Sequence, residues 1–74
     1  MEEQVKRIMA DVLDLDDGAI DENTGRDNVD AWDSMKHITL CLALEEEFKV
    51  SFEVQEIETI TTYADVLDVL RQKL

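Results

Sequence analysis

The 74-residue sequence predicts an all-α protein, a small four-helix bundle with three longer helices, a short third helix and a long loop between helices one and two. Apolar residues recur every three to four positions in three separate segments, which is the helical period. The chain contains no proline, and no segment alternates as a strand does, apart from ambiguous short runs near residues 50–54. Its length fits one domain, residues 1–74, near the lower limit for independent folding.

The first helix is predicted from about Glu3 to Leu13. Its apolar stripe consists of Val5, Ile8, Met9, Val12 and Leu13. Glu2 and Glu3 suit the positive end of the helix dipole. We expect the acidic run 14–18 to end this helix, with Gly18 just past its last turn.

Residues 14–33 form a long connection that is rich in Asp, Asn and Gly. A structureless connection of this length is unusual in a small domain and generally has a function or special anchors. We expect Ile20, Val29 and Trp32 to anchor it to the helices. The spacing of its first aspartates weakly resembles a calcium loop, but Ala19 and Gly25 occupy the places of the required glycine and glutamate. The sequence therefore predicts no built metal site.

The second helix, Met35 to Phe48 after Ser34, is apolar on two sides. One arc contains Leu40, Cys41, Leu44 and Phe48, and the other contains Met35, Ile38 and Leu42. The first arc suits the core. The second, here called the apolar strip, leads from Ser34 towards Glu45 and Glu46. It is either covered by the loop and the later helices or free to contact a partner.

Two further helices complete the predicted bundle. A short amphipathic piece covers Glu53–Glu58, with Val54 and Ile57 on one side. Thr62 fits as the N-cap of the last helix, with Asp65 three residues later in a capping-box-like arrangement. The stripe of the last helix consists of Tyr63, Val66, Leu67, Leu70 and Leu74.

The composition argues against an enzyme and against several classes of partner. The only histidine, His37, and the only cysteine, Cys41, are one helical turn apart, but Cys41 lies on the core arc and His37 is expected to pack against Trp32 or to cap loop groups. A net charge of −12 disfavours nucleic acid and anionic membranes, and favours partners with basic patches. No apolar run is long enough for membrane insertion, and the acidic start is not a signal peptide, so we expect a cytoplasmic protein.

Ser34 stands where the second helix begins. The N-terminus of a helix has unpaired N–H groups and a partial positive charge, so a hydroxyl there can carry a phosphate group. A serine at this place can also be an ordinary helix cap. Residue patterns alone leave the two roles open.

The stretch Asp33-Ser34-Met35, followed by Leu-Ala-Leu-Glu-Glu-Glu-Phe at 42–48, resembles the acyl carrier protein family. The resemblance covers the whole chain and implies that Ser34 is esterified with 4′-phosphopantetheine from coenzyme A by a separate phosphopantetheinyl transferase. The thiol of that arm would carry acyl groups as thioesters for fatty-acid, lipid or polyketide-type biosynthesis, and the domain itself would catalyse nothing. Asp33 would help to position the metal of the transferase.

The resemblance also implies two surfaces on a monomeric carrier. Acyl-loading and acyl-using enzymes with basic docking patches would contact Met35, Ile38, Leu42, Glu45 and Glu46. An acyl chain would be sheltered near Phe52, Ile57 and Ile60.

Several residues depart from the family pattern. Lys36 and Thr39 replace acidic residues, Trp32 replaces a smaller one, and Arg26 and Asp30 stand where the loop usually has large apolar side chains. These changes favour a specialised carrier over the primary fatty-acid carrier. An aminoacyl or peptidyl carrier is an alternative, and an acidic adaptor or cation-binding module with Ser34 as a mere cap is an alternative from another class.

Overall fold

Four α-helices surround one apolar core in the computed structural model, which describes residues 1–74. The helices are α1 (Glu2–Leu13), α2 (Ser34–Phe48), α3 (Val54–Thr59) and α4 (Tyr63–Lys73), and a 3₁₀ turn spans Asp17–Ala19. The predicted all-α architecture is confirmed, with helix bounds that differ from the expected ones by about one residue. None of the four helices combines the length and the apolar character needed to span a membrane.

The core lies where α1 packs against α2 and α4. It contains Val5, Met9, Ala10, Leu13, Ile20, Trp32, Leu40, Cys41, Leu44, Phe52, Ile60, Tyr63, Val66, Leu67 and Leu70. The stripes of α1 and α4 and the first arc of α2 supply most of it, as their periodicity predicts. Of the three expected loop anchors, Ile20 and Trp32 are buried and Val29 packs against the core from the edge.

The run 14–18 ends α1 as expected, but the residue that terminates the helix is Asp14 and not the glycine. The C-cap of α1 is Asp14, which adopts the left-handed conformation with φ 59°, and Gly18 lies in the 3₁₀ turn. Lys49 ends α2 in the same conformation, with φ 58°. Helices commonly end on one left-handed residue, and tertiary packing can impose that conformation on residues other than glycine.

The long loop is held together by side-chain hydrogen bonds and by short backbone turns, which include the 3₁₀ turn. The Thr24 hydroxyl accepts from the Asp21 N–H at 2.9 Å. The Asn28 side chain accepts from the Gly25 N–H at 3.0 Å and donates to the Asn23 carbonyl at 2.7 Å. Because these bonds satisfy backbone groups locally, the loop is ordered without forming an α-helix or a strand.

The middle of the loop is also fastened to the link between α3 and α4. The Arg26 N–H donates to the Thr61 carbonyl and the Tyr63 N–H donates to the Thr24 carbonyl, both at 2.9 Å. Gly25 and Thr62 form an isolated β-bridge. A Cβ at Gly25 would lie 3.1 Å from the Thr61 carbonyl oxygen, so the absence of a side chain permits this close approach.

Two apolar residues that were expected on buried faces are exposed. Val54, at the start of α3, is 70% exposed, and Leu74, just after α4, is 66% exposed. The short α3 relies instead on Ile57, which packs against the core, and on polar bonds at its ends. Glu53 and Glu56 form a capping box, and Lys73 makes a 2.8 Å ion pair with Glu56. A six-residue helix needs such contacts, because it is unstable alone.

The N-terminus of α4 predicts a pH-dependent loss of stability. Thr62 caps the helix, and the Asp65 carboxylate accepts from both the N–H and the hydroxyl of Thr61 at 3.0 Å. Burial acts to raise the pKa of Asp65, but the hydrogen bonds from Thr61 and Thr62 outweigh it and hold the pKa below its ordinary value of 3.8. The carboxylate therefore stabilises the fold above that value, and this stabilisation is lost as pH falls through the lowered pKa.

Asp65→Asn is expected to be less stable than the wild type at neutral pH, by less than about 1 kcal/mol because solvent screens the partly exposed carboxylate. The difference should shrink as the pH drops below about 4. Urea unfolding, followed by circular dichroism across the acid range, measures it. Asp68→Asn, which changes an exposed aspartate of α4, is the control. A difference that persists unchanged in acid would contradict this role of Asp65.

Candidate functional site

Ser34 is the first residue of α2 but not its cap. The N-cap is Asp33, whose Oδ1 accepts a hydrogen bond from the Lys36 N–H at 2.9 Å. Ser34 is exposed, and its hydroxyl makes no hydrogen bond within the chain. The capping role that the sequence left open for the serine therefore belongs to its neighbour.

Ser34 opens onto a cleft of about 310 Å³ between the start of α2 and the end of α3. The cleft is lined by Arg26, Ser34, His37, Ile38, Ile57 and Glu58. It thus combines a hydroxyl, one cation, one carboxylate and two branched apolar side chains. A group attached to Ser34 has both apolar and charged surface within reach.

His37 joins the loop to α2 and α3 at the wall of this cleft. The Trp32 indole Nε1–H donates to His37 Nδ1 at 2.9 Å, and His37 Nε2 lies 2.7 Å from the Ile57 carbonyl. An indole nitrogen can only donate, so Nδ1 must accept and Nε2 must carry the proton that is donated to Ile57. The expected packing of His37 against Trp32 is confirmed, and the bond to Ile57 is a contact that the sequence did not indicate.

The apolar strip is exposed. The exposed fractions are 81% for Met35, 52% for Ile38 and 59% for Leu42. Of the two interpretations of this second arc, burial under the loop and later helices is therefore wrong. An apolar row along one helix that nothing in the chain covers is typical of a surface that meets a partner.

The two glutamates at the lower end of the strip differ. Glu46 is exposed, whereas Glu45 is half-buried and its Oε2 accepts from the Phe52 N–H at 2.7 Å. This bond holds the link between α2 and α3, so Glu45 has a structural role that its charge alone did not suggest. Only Glu46 presents an unbonded carboxylate beside the strip.

The three residues expected around an acyl chain are not equivalent. Phe52 and Ile60 are buried in the core, whereas Ile57 lines the cleft beside Ser34. In this conformation only Ile57 lies beside Ser34.

Cys41 lies on the core side of α2 and is 2% exposed. Burial, assisted by the nearby charge of Glu45, raises the pKa of its thiol to about 11. The thiol is therefore protonated at neutral pH and is a poor nucleophile. Both ring nitrogens of His37 bond to Trp32 and Ile57 rather than to the Cys41 thiol.

A model of the phosphopantetheine attachment site family matches residues 3–70. The chain is also 38% identical over 73 residues to an acyl carrier protein from Thermosynechococcus vestitus, an alignment that covers 97% of this chain and 89% of that protein. The chain belongs to the acyl carrier protein family. An acyl carrier protein from Petrotoga mobilis is 36% identical over 73 residues, with 97% of this chain and 85% of that protein covered.

The fold agrees with this assignment. A candidate acyl carrier protein from Mycobacterium tuberculosis superposes with a TM-score of 0.88 at 26% identity, covering 99% of this chain and 97% of that one. As a member of the acyl carrier protein family, the chain carries a covalently attached 4′-phosphopantetheine. Proteins of this family are carriers rather than catalysts and work with partner enzymes, which include a phosphopantetheinyl transferase.

The residues around Ser34 fit such a group. An exposed, unbonded hydroxyl is free to form an ester, and the N-terminus of α2 favours the negative charge of a phosphate. Sequence patterns indicated the serine but not the cleft. Arg26 could have been singled out from the sequence, because it is a charged residue in a place where the family resemblance implies an apolar one. Nothing in the sequence indicated that Glu58 lines the cleft.

Proposed function

We propose that Ser34 is the attachment residue and that the chain carries acyl intermediates as thioesters on its phosphopantetheine arm, for partner enzymes in fatty-acid, lipid or polyketide-type biosynthesis. One observation supports this most strongly. Ser34 is held at the first position of α2 while Asp33 does the capping, so its hydroxyl is exposed and has no other role. We further propose that residues 1–74 act as one monomeric carrier unit in the cytoplasm.

The neighbours of Ser34 have separate tasks in this proposal. Asp33 Oδ1 orients the first turn of α2, and the exposed carboxylate can also assist the metal of the transferase. His37 fixes the start of α2 against α3 through Ile57. When bound, the arm supplies the thiol that forms the thioester, and the chain supplies a rigid, charged platform for it.

Docking would use the apolar strip together with the surrounding charge. The net charge of −12 attracts enzymes with basic patches and raises the rate of encounter. Met35, Ile38 and Leu42 would then set the register of the complex. Exposed ion pairs are worth about 0–1 kcal/mol each, so complexes of this kind separate readily, as a carrier that visits several enzymes requires.

The exposed side chains at the upper end of α2 support a specialised carrier. Lys36 and Thr39 are both exposed beside the apolar strip, where the family resemblance implies acidic side chains. A partner that binds this end of α2 would contact a cation and a hydroxyl group. We propose that this selects dedicated enzymes over those of the primary fatty-acid pathway.

Intact mass spectrometry tests the attachment. The purified chain, incubated with coenzyme A and a broad-specificity transferase, is expected to gain the mass of one phosphopantetheine. Unmodified protein after complete turnover of a control carrier would contradict the proposal. Mass analysis of the thioester form isolated from native cells would then identify the cargo.

Leu42→Ser is expected to weaken docking without loss of stability. Leu42 is exposed and lies in the apolar strip, so its removal should lower the kcat/KM of the transferase or of another partner by about tenfold, which corresponds to about 1.4 kcal/mol. Its unfolding free energy should change by less than about 0.5 kcal/mol. Leu74→Ser changes a leucine of similar exposure at the C-terminus and should alter neither quantity. Equal kinetics for both variants would exclude the strip from docking.

A further inference from the structure

Arg26 is the basic residue in the cleft beside Ser34, and several bonds fix its position. Its backbone N–H donates to the Thr61 carbonyl at 2.9 Å, and its Nε–H donates to the Trp32 carbonyl at 3.4 Å. The preceding residue, Gly25, is bridged to Thr62. The guanidinium is therefore presented to the cleft by a loop that is anchored on both sides.

The guanidinium of Arg26 has no carboxylate partner. Acidic residues outnumber basic ones by nineteen to seven, yet the two ion pairs of the chain are Arg71 with Glu2 and Lys73 with Glu56. Glu58 lines the same cleft but lies beyond ion-pair distance from Arg26. The side chain is half-buried, and neither of its Nη groups donates a hydrogen bond within the chain.

A half-buried guanidinium with free donors suits an oxyanion. Its planar fork can give two parallel N–H donors to the oxygens of a phosphate or a carboxylate. Solvent screens such a pair less than it screens an exposed one, because the side chain is partly removed from water. The nearest covalently placed anion would be the one attached to Ser34, which lines the same cleft.

We propose that Arg26 binds the phosphodiester that joins the phosphopantetheine arm to Ser34. This inference rests on the proposed function, and it adds a positioning role. The pairing directs the first part of the arm into the cleft between Ile57 and Ile38, which is the one residue of the apolar strip that lines the cleft. Met35 and Leu42, the exposed strip residues outside the cleft, then stay free to contact the partner.

Nuclear magnetic resonance of the full chain tests this pairing. The Arg26 Nε–H signal of the wild type is expected to shift between the unmodified form and the form that bears the free-thiol arm. The ³¹P signal of the arm should differ between the wild type and Arg26→Gln, and Arg26→Lys should lie between them because it keeps the charge without the fork. Raising the salt concentration should move the wild-type ³¹P signal towards that of Arg26→Gln.

Arg7→Gln is the matched control. It removes one exposed arginine from α1, changes the net charge equally, and should leave the ³¹P signal at its wild-type position. Identical ³¹P signals in the wild type and Arg26→Gln, or an Arg26 signal that is the same with and without the arm, would overturn the inference. The comparison of the two wild-type forms decides the matter even if Arg26→Gln fails to fold.

Two other results have distinct readouts. Failure to gain the mass of the arm overturns the proposed function, and is seen by mass spectrometry before any resonance is measured. An Arg26 shift that appears only when a dicarboxylic acyl group is loaded would mean that the cargo carboxylate is the ligand, and would overturn the assignment to the phosphodiester.

Discussion

Ser34→Ala is expected to take up no phosphopantetheine from coenzyme A and a transferase, and to be as stable as the wild type. The Ser34 hydroxyl makes no hydrogen bond within the chain, and alanine is favourable in the first turn of a helix. The change in unfolding free energy should stay within about 0.5 kcal/mol. Intact mass spectrometry reads the modification, and urea unfolding reads the stability.

Asp33→Ala provides the matched control for this prediction. It removes the carboxylate that caps α2 and should cost about 1 kcal/mol of stability. Ser34 is retained, so the arm should still be gained, but more slowly, because the same carboxylate is proposed to assist the metal of the transferase. If Ser34 were only a cap, as in an adaptor without a prosthetic group, the stability loss would follow Ser34→Ala instead. A Ser34→Ala variant that still gains the arm would show that another residue is the attachment site.

His37→Leu is expected to destabilise the fold by about 2–4 kcal/mol. The substitution leaves the buried Trp32 Nε1–H without an acceptor and the Ile57 carbonyl without a donor, and an unsatisfied buried polar group costs about 1–3 kcal/mol. That is a large part of the roughly 4–11 kcal/mol expected for a chain of this length. Urea unfolding followed by far-ultraviolet circular dichroism measures the loss.

A spectroscopic signature separates this mechanism from a general packing defect. The indole N–H resonance of Trp32 should move when its acceptor is removed. Thr39→Ala, which affects an exposed hydroxyl of the same helix that bonds to the Met35 carbonyl, should cost less than about 0.5 kcal/mol. A loss in His37→Leu no larger than in Thr39→Ala would mean that the two bonds of His37 add nothing to stability.

Periodicity predicted the helices well because one side of each long helix must be buried. The stripes of α1 and α4 and the first arc of α2 depend on this requirement, and they agree with the structure apart from Leu74. The second arc could not be assigned from the sequence. Whether Met35, Ile38 and Leu42 are covered depends on the path of the loop 14–33. That path is set by individual side-chain and backbone hydrogen bonds rather than by any repeating pattern.

The candidate site was predictable in its chemistry but not in its geometry. Asp33-Ser34-Met35 indicated the serine through a family resemblance. The sequence could not show which of Asp33 and Ser34 caps α2, since both residue types are good caps. The hydrogen bond from the Lys36 N–H identifies Asp33 as the cap. The cleft could not be predicted, because Arg26 and Ile57 reach it through a loop and a short helix whose placement depends on long-range contacts.

The seclusion of Cys41 has a consequence for redox chemistry. Disulfide exchange requires an accessible sulfur and a thiolate, and Cys41 offers neither. A carrier whose working end is a thiol on a swinging arm would be silenced if that thiol paired with one of its own cysteines. In this chain no accessible cysteine is available to pair with the thiol of the arm. After modification, each molecule that carries the arm therefore has one reactive thiol. Labelling with a maleimide would measure the fraction of molecules that carry the arm.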